Sequence, residues 1–229
     1  MSATETSNKP RVPESREGLL KITEIFYSLQ GEARDAGRPT VFIRLTGCPL
    51  RCVYCDSEYA FFGGEWKQID QIMKQVATYK TSYVCVTGGE PLAQKRCQEL
   101  LNSLCEAGYQ VSLETSGAMD ISQVDTRVSR VLDIKTPDSG EAGRNLWTNM
   151  DVLTAHDQIK FVLCSREDYE WTRAEIQSRS LDEKADILLS PAWAQVNPTE
   201  LAEWVLEDQL NVRVQLQLHK LLWGDEPGK

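Results

Sequence analysis

Three cysteines stand within one short stretch of the chain, at Cys48, Cys52 and Cys55, and their C-x3-C-x2-C spacing limits the possible fold most strongly. Gly47 precedes the first of them, after the mainly apolar run 41–46. This pattern predicts a strand followed by a loop that brings three thiols to one point. Cysteine thiolates hold iron–sulfur clusters, and a four-iron cluster usually takes four of them. A loop with three thiols therefore leaves one iron open for chemistry.

Zinc is the competing interpretation of these cysteines. Structural zinc takes four nitrogen or sulfur ligands, commonly in paired C-x2-C motifs, and a second pair is missing here. The remaining cysteines are Cys85, Cys97, Cys105 and Cys164, which show no metal-ligand spacing. Free cysteine is often buried as a small hydrophobic residue. The sequence thus favours a cluster, and a zinc-stabilised binding module stays open as the non-enzymatic alternative.

A second motif, Thr87-Gly88-Gly89-Glu90-Pro91, follows the apolar run 83–86. Glycines let a backbone approach a ligand closely, and a carboxylate accepts charge-assisted hydrogen bonds from an ammonium group. Together with the cysteine spacing, this motif resembles the radical S-adenosylmethionine (SAM) superfamily. The resemblance implies that Cys48, Cys52 and Cys55 hold a [4Fe–4S] cluster whose open iron binds SAM.

Composition and charge exclude several classes of function. The chain has 229 residues and a net charge of −9, without a basic cluster, which argues against direct nucleic-acid binding. No apolar run approaches the roughly 18 residues of a membrane span, and the polar residues 1–14 do not form a secretory signal. We therefore expect a cytoplasmic protein without a membrane or nucleic-acid partner.

Strand and helix patterns alternate along the chain and predict an α/β fold with a parallel sheet. Residues 1–18 are rich in Ser, Thr, Pro and charge, which predicts a flexible tail before a single domain over 19–229. Strands are predicted over 20–27, 40–45, 83–86, 110–114, 130–134, 158–163, 185–189 and 212–218, and helices over 68–79, 94–107, 168–178 and 198–208. The resemblance implies a partial, open TIM-like barrel of about six strands, with the site at their C-terminal ends.

Further short motifs point to one family within that superfamily. They are Leu29-Gln30-Gly31-Glu32, Cys55-Asp56-Ser57, Glu114-Thr115-Ser116-Gly117 and His219-Lys220. Their order and spacing over about residues 20–223 resemble the 7-carboxy-7-deazaguanine synthase family. The resemblance implies a lyase that contracts the ring of 6-carboxy-5,6,7,8-tetrahydropterin to 7-carboxy-7-deazaguanine with loss of ammonia, in queuosine biosynthesis for tRNA modification. It also implies a homodimer and an external one-electron donor of the flavodoxin or ferredoxin type.

The same resemblance implies three sets of ligand contacts and no catalytic acid–base residue beyond the cofactors. Ser57 would bind Mg²⁺, which prefers hard oxygen ligands, although a helix-capping role is the alternative. The SAM contacts would be Gly89, Glu90, Ser116, Asp133 and Lys135. The substrate contacts would be Leu29, Gln30, Gly31, Arg44, Thr87 and His219. For Arg44 a strand salt bridge is the alternative, and for His219 a structural role.

A radical SAM activase of a glycyl-radical enzyme is the alternative function, since activases share the C-x3-C-x2-C and Gly-Gly-Glu patterns. Activases often carry additional cysteine clusters, and none is visible in this sequence. Turnover of a pterin, as opposed to activation of a protein substrate, distinguishes the two functions.

Overall fold

The computed structural model describes residues 18–224, 226 and 228. Nearly all of the predicted N-terminal tail, residues 1–17, lies outside the described residues. The strands are β1 (Leu19–Leu29), β2 (Pro39–Leu45), β3 (Glu65–Gln68), β4 (Tyr83–Gly88), β5 (Gln110–Thr115), β6 (Ser129–Ile134), β7 (Gln158–Leu163), β8 (Asp186–Pro191) and β9 (Arg213–Val214). The α-helices are α1 (Ile69–Val76), α2 (Cys97–Glu106), α3 (Arg166–Arg179), α4 (Pro198–Glu207) and α5 (Leu218–Trp223).

The strands form one sheet in the order β3-β1-β2-β4-β5-β6-β7-β8-β9. Every neighbouring pair from β2 to β9 is parallel, as the alternating pattern predicted. β1 departs from that prediction, because it pairs antiparallel with both β2 and β3. The short connection 30–38 between β1 and β2 has no room for a crossover helix, so it closes a hairpin. β3 was not predicted.

The sheet is an open barrel, because β3 and β9 lie at its two edges and are not paired with each other. The predicted strand over 212–218 is wrong beyond Val214, since only Arg213–Val214 pairs with the sheet. The chain leaves the sheet there because other groups bind its backbone and side chains. The Leu218 N–H donates to the Gly31 carbonyl at 3.0 Å, and the Gln217 amide donates to Glu32 at 2.8 Å. α5 begins at Leu218.

Side chains alternate along each strand, so the sheet has two faces of different chemistry. One face packs against the helices in the main hydrophobic core, through buried residues such as Ile43, Val86, Leu113, Leu132 and Phe161. The residues between them point into the open barrel, and they include Arg44, Thr87, Glu114, Asp133 and Lys160. Because α1 to α4 pack on the apolar face, the polar face remains free to form a site.

α2 begins at Cys97 and not near Gln94, where its periodicity predicted a start. Residues Pro91–Ala93 form a separate 3-10 turn, and the Gln94 side chain is occupied elsewhere. It accepts from the Lys21 N–H and donates to the carbonyls of Lys21 and Thr46, at 2.8–3.0 Å. These bonds tie β1 to the segment that leads into the cysteines.

No helix among the described residues has the length and apolar character to cross a membrane.

Candidate active site

A cavity of about 740 Å³ opens at the C-terminal ends of the parallel strands. Its size lies within the roughly 300–1,000 Å³ of typical ligand pockets. The residues predicted from the sequence line it with one exception, Glu90. Those that do are Leu29, Gln30, Gly31, Arg44, Cys48, Cys52, Cys55, Ser57, Thr87, Gly89, Ser116, Asp133, Lys135 and His219. The predicted metal, SAM and substrate contacts thus share one space.

The cysteine loop follows β2 and is held at both ends by backbone hydrogen bonds. The Gly47 N–H donates to Ala60 at 2.8 Å, and the Val53 N–H donates to Ser139 at 3.1 Å. The Leu50 N–H donates to the Cys48 sulfur at 3.4 Å. Burial raises the pKa of all three thiols, that of Cys52 to about 11, so their thiolate forms need a nearby positive charge or a bound metal to stabilise them.

The three thiols fit the role of cluster ligands by their chemistry and their shared cavity. Cys48, Cys52 and Cys55 are free and only half-buried. Across the part of the chain that the structure describes, no group of three or more His, Cys, Asp or Glu side chains already stands arranged to hold a metal ion. Metal sites are commonly completed by binding itself, so the loop would close around a cluster as it is loaded.

Gly89 packs directly against the cysteine loop. A Cβ atom at this position would lie 2.5 Å from the Gly47 carbonyl oxygen and 2.7 Å from the Cys48 Cβ. The Glu90 N–H also donates to the Gly47 carbonyl, at 2.8 Å. Only glycine permits this approach, so the loop after β4 and the loop after β2 form one wall of the cavity.

Glu90 is fully buried behind that wall. Its carboxylate accepts hydrogen bonds from the Thr115 hydroxyl at 2.9 and 3.0 Å, and from both the N–H and the hydroxyl of Ser116. It also accepts from the Leu92 N–H at 2.9 Å. With its oxygens occupied in this way, Glu90 supports Ser116 and does not itself face the cavity.

Asp133 and Lys135 form an ion pair on the wall beside the cysteines. The Lys135 ammonium lies 2.8 Å from an Asp133 oxygen and 5.5 Å from the centre of the Tyr54 ring. Burial by itself would lower the pKa of Lys135, but the attraction of the Asp133 carboxylate is stronger, so the pKa of Lys135 is raised. Burial raises the pKa of Asp133, but Lys135 and Lys160 outweigh it and the net pKa is lowered. Both side chains are therefore charged at neutral pH.

Arg44 lies on the opposite side of the cavity and makes the salt bridge that was its alternative role. Its Nε is 2.7 Å from a Glu24 oxygen, and its guanidinium lies between the Phe26 and Tyr59 rings. A second nitrogen, Nη1, remains directed at the Ser57 hydroxyl, 3.5 Å away. Arg44 is thus both paired and facing the cavity.

Ser57 precedes a 3-10 turn over Glu58–Ala60, but its side chain makes no capping hydrogen bond there. Its hydroxyl instead donates to Asp56 at 2.9 Å. The capping alternative therefore does not describe this side chain. Ser57 and Asp56 present neighbouring oxygen atoms to the cavity, which suits a hard cation.

His219 reaches the cavity from α5 and contacts Gly31 closely. A Cβ on Gly31 would lie 2.2 Å from the His219 Nδ1. Burial lowers the pKa of His219, with Glu32 and Asp56 opposing, so the imidazole is neutral at pH 7. The C-terminal residues Gly224, Glu226 and Gly228 also line the cavity.

Sequence reasoning missed a charged cluster on the cavity floor. The Lys160 ammonium lies 2.7 Å from Glu32, 3.3 Å from Asp133 and 3.6 Å from Glu114. Burial raises the pKa of Glu114 to about 7, with Lys160 opposing and Glu32 and Asp133 contributing. The available signal was strand alternation, because Lys160 stands between the apolar residues Ile159 and Phe161, and Glu114 follows the apolar Leu113 in a predicted strand.

Comparison with known proteins identifies the family of this chain. Residues 42–174 match the Radical SAM superfamily. The 7-carboxy-7-deazaguanine synthase of Koribacter versatilis is 43% identical over 222 residues, which span 90% of this chain and 98% of the relative. That of Chlorobaculum tepidum is 42% identical over 215 residues, which span 93% of this chain and 98% of the relative.

The fold is also that of a solved relative. The crystal structure of QueE from Escherichia coli has a TM-score of 0.73 and 23% sequence identity to this chain, and it covers 88% of this chain and 95% of its own. At this identity the likeness concerns the fold, while the sequence matches above extend over nearly the whole chain. The chain therefore belongs to the radical SAM superfamily and, within it, to the 7-carboxy-7-deazaguanine synthase family.

Proposed function

We propose that the protein converts 6-carboxy-5,6,7,8-tetrahydropterin to 7-carboxy-7-deazaguanine with release of ammonia, as a carbon–nitrogen lyase in queuosine biosynthesis. One observation carries this proposal: the cysteine loop and the predicted substrate contacts Gln30, Arg44 and His219 line the same cavity. A radical formed beside the cysteines would therefore meet a bound pterin without crossing solvent. The names of the relatives support the choice of product.

The cofactor supplies the difficult chemistry, and the protein supplies position. Cys48, Cys52 and Cys55 would hold a [4Fe–4S] cluster, which would supply the electron for the reductive cleavage of SAM and so the radical chemistry at C6 of the pterin. Gly89 leaves backbone exposed beside the cysteine loop. Ser116 and the Asp133–Lys135 pair offer hydrogen-bonding and charged groups to SAM from the neighbouring strands.

The substrate side offers complementary groups for a flat, polar ring. The Arg44 guanidinium can donate hydrogen bonds to the pterin carboxylate. The Ser57 hydroxyl lies next to the guanidinium, where it would bind Mg²⁺ together with that carboxylate. Leu29, Gln30, Gly31 and Thr87 form the adjoining wall. The neutral His219 lines this end of the cavity.

Several finer features belong to the same proposal. Mg²⁺ would orient the substrate carboxylate, and a flavodoxin- or ferredoxin-type donor would supply the electron. The enzyme would be a homodimer in the cytoplasm. Residues 19–229 would form its single domain. The resemblance to the family supports the metal, the electron donor and the dimer, while the sequence patterns support the cytoplasmic location and the single domain.

The test is an anaerobic turnover experiment. Protein reconstituted with iron and sulfide receives SAM, a reductant, Mg²⁺ and 6-carboxytetrahydropterin, and 7-carboxy-7-deazaguanine is measured by mass. We expect product with the wild type and none with Cys52→Ala. Slow cleavage of SAM without any change in the pterin would contradict the substrate assignment and favour an activase. A colourless protein that binds zinc in place of iron would contradict the radical mechanism altogether.

A further inference from the structure

Lys160 occupies an unusual position for a lysine. It stands in the middle of β7 and is buried, between Ile159 and Phe161, which pack into the hydrophobic core. Its side chain points the other way, to the floor of the cavity. A buried lysine is tolerated only when its charge is paired. The structure provides that pairing from three different parts of the chain.

Three carboxylates surround the Lys160 ammonium. Glu32, in the connection after β1, lies at 2.7 Å; Asp133, on β6, at 3.3 Å; and Glu114, on β5, at 3.6 Å. Burial lowers the pKa of Lys160, but these three groups outweigh it and raise the pKa well above its ordinary value. Lys160 is therefore a permanent positive charge, and without it the three carboxylates would repel one another.

The three carboxylates connect the two ends of the cavity. Glu32 adjoins Gly31 on the substrate side and accepts from Gln217, which directly precedes α5 and His219. Asp133 pairs with Lys135 on the SAM side. Asp133 stands directly opposite Lys160 in the β6–β7 pair, and Glu114 lies on β5, the next strand of the sheet. A shift of the central ammonium would therefore move groups at both ends.

We infer that Lys160 is a positioning residue whose ammonium holds Glu32, Glu114 and Asp133 together, and so keeps the SAM end and the substrate end of the cavity aligned. The assignment of the substrate end rests on the proposed function. The assignment of the SAM end rests on membership of the superfamily. Lys160 itself acts through these carboxylates and is not assigned a contact with either ligand.

The group most sensitive to Lys160 is Glu114, whose pKa is raised to about 7 by burial. The charged groups that influence it are Lys160 from β7, Asp133 from β6 and Glu32 from the connection after β1. The buried Cys85 thiol faces it from β4. Loss of a positive charge at this distance raises a carboxyl pKa by about 1–3 units. Without Lys160, Glu114 would be largely protonated at neutral pH.

The experiment compares wild type, Lys160→Met and Arg130→Met as reconstituted holoenzymes. Arg130 is the matched control, because it is a buried cation paired with Asp157 and is absent from the cavity lining. The dissociation constant of SAM is measured under anaerobic conditions from about pH 5.5 to 9, together with KM for 6-carboxytetrahydropterin. The midpoint of the pH dependence reports the ionisation of the carboxylate cluster. Replacement of a lysine with a purely structural role would leave this midpoint unchanged.

For Lys160→Met we expect the midpoint to move upward by about 1–3 pH units. At pH 7 both the SAM dissociation constant and the pterin KM should rise about tenfold or more, which corresponds to one unit of pKa or above. Arg130→Met should lower thermal stability and leave the midpoint and both constants unchanged. A folded Lys160→Met with the wild-type midpoint and constants would overturn the inference.

Two provisions keep the outcome decisive. If Lys160→Met fails to fold, Glu114→Gln serves in its place: it should remove the midpoint near pH 7 in SAM binding, and a midpoint that persists would overturn the inference. A wild type that makes no 7-carboxy-7-deazaguanine would contradict the proposed function alone. The pH dependence of SAM binding would still test Lys160, because it does not require the pterin.

Discussion

At the scale of single residues, the contact between Gly31 and His219 makes a sharp prediction. A methyl group on Gly31 would occupy the position of the His219 ring nitrogen. We expect Gly31→Ala to displace His219 and lower kcat/KM for the pterin by roughly 10- to 100-fold, since a shift of about 1 Å near reacting groups can cost on the order of 100-fold. Steady-state kinetics under anaerobic conditions measure this effect.

Gly143→Ala is the matched control for that substitution. Gly143 has open space around its Cα and does not line the cavity. Its kinetics should equal those of the wild type. If Gly31→Ala also kept the wild-type kcat/KM, the placement of His219 at the substrate end would be wrong.

Glu114 makes a second prediction at this scale, on the pH dependence of stability. Its folded-state pKa of about 7 lies above the 4.5 of an ordinary glutamate, because burial disfavours the charged form. The folded protein therefore binds this proton more tightly than the unfolded chain. The resulting stability is fully present below the ordinary pKa and is lost as the pH rises through 7.

Glu114→Gln should abolish that loss. The free energy of unfolding of the wild type, minus that of the variant, should fall by about 3 kcal/mol from about pH 4 to pH 8, at about 1.4 kcal/mol for each unit of pKa. Urea unfolding at a series of pH values measures this difference. A difference that stays constant with pH would show that Glu114 ionises as an exposed glutamate does.

At the scale of elements, two loops act as one unit. The loop after β4 packs against the cysteine loop after β2 through Gly89, with 2.5 Å between a Cβ placed there and the Gly47 oxygen. We expect Gly89→Ala to push the cysteine loop outward and to reduce iron and sulfide content strongly after reconstitution. Iron analysis and the brown colour report this loss, and Gly143→Ala again serves as control. Full cluster content in Gly89→Ala would contradict the shared wall.

The secondary-structure elements were predicted correctly where a single hydrophobic periodicity dominates the sequence. β7 was predicted with its observed bounds, because β-branched and aromatic residues alternate there with buried polar ones. The prediction was wrong over most of 212–218. The sequence there has a strand-like pattern, but Gln217 donates a hydrogen bond to Glu32, far away in the sequence, and the chain leaves the sheet. The short β3 was missed because its pairing with β1 supplies most of its stability. Local pattern carries no information on partners that lie far away in the sequence.

At the scale of the whole molecule, stability comes from the layer of helices on the apolar face of the sheet. Leu101 on α2 is fully buried there, whereas Leu206 on α4 is 75% exposed. We expect Leu101→Ala to lower the free energy of unfolding by about 2–5 kcal/mol and Tm by roughly 5–15 °C. Leu206→Ala should change both very little. Thermal unfolding measures the pair, and equal effects would contradict the assigned core.

The sequence by itself determined the chemistry of this protein. The three cysteines, the Gly-Gly-Glu motif and the alternation of strands and helices are local patterns, and they predicted the family, the open α/β barrel and a set of site residues that, apart from Glu90, do line the cavity. These features can be recognised locally because the spacing of a ligand loop and the period of a strand are set within a few residues.

Only the tertiary structure decided which contacts each of those residues makes. Glu90, predicted to contact SAM, is buried and supports Ser116. Arg44 is both paired with Glu24 and open to the cavity. Glu32, Glu114, Asp133 and Lys160 come from four separate segments and meet on the cavity floor. Their charges depend on burial and on neighbours brought together by the sheet, and both exist only once the chain has folded.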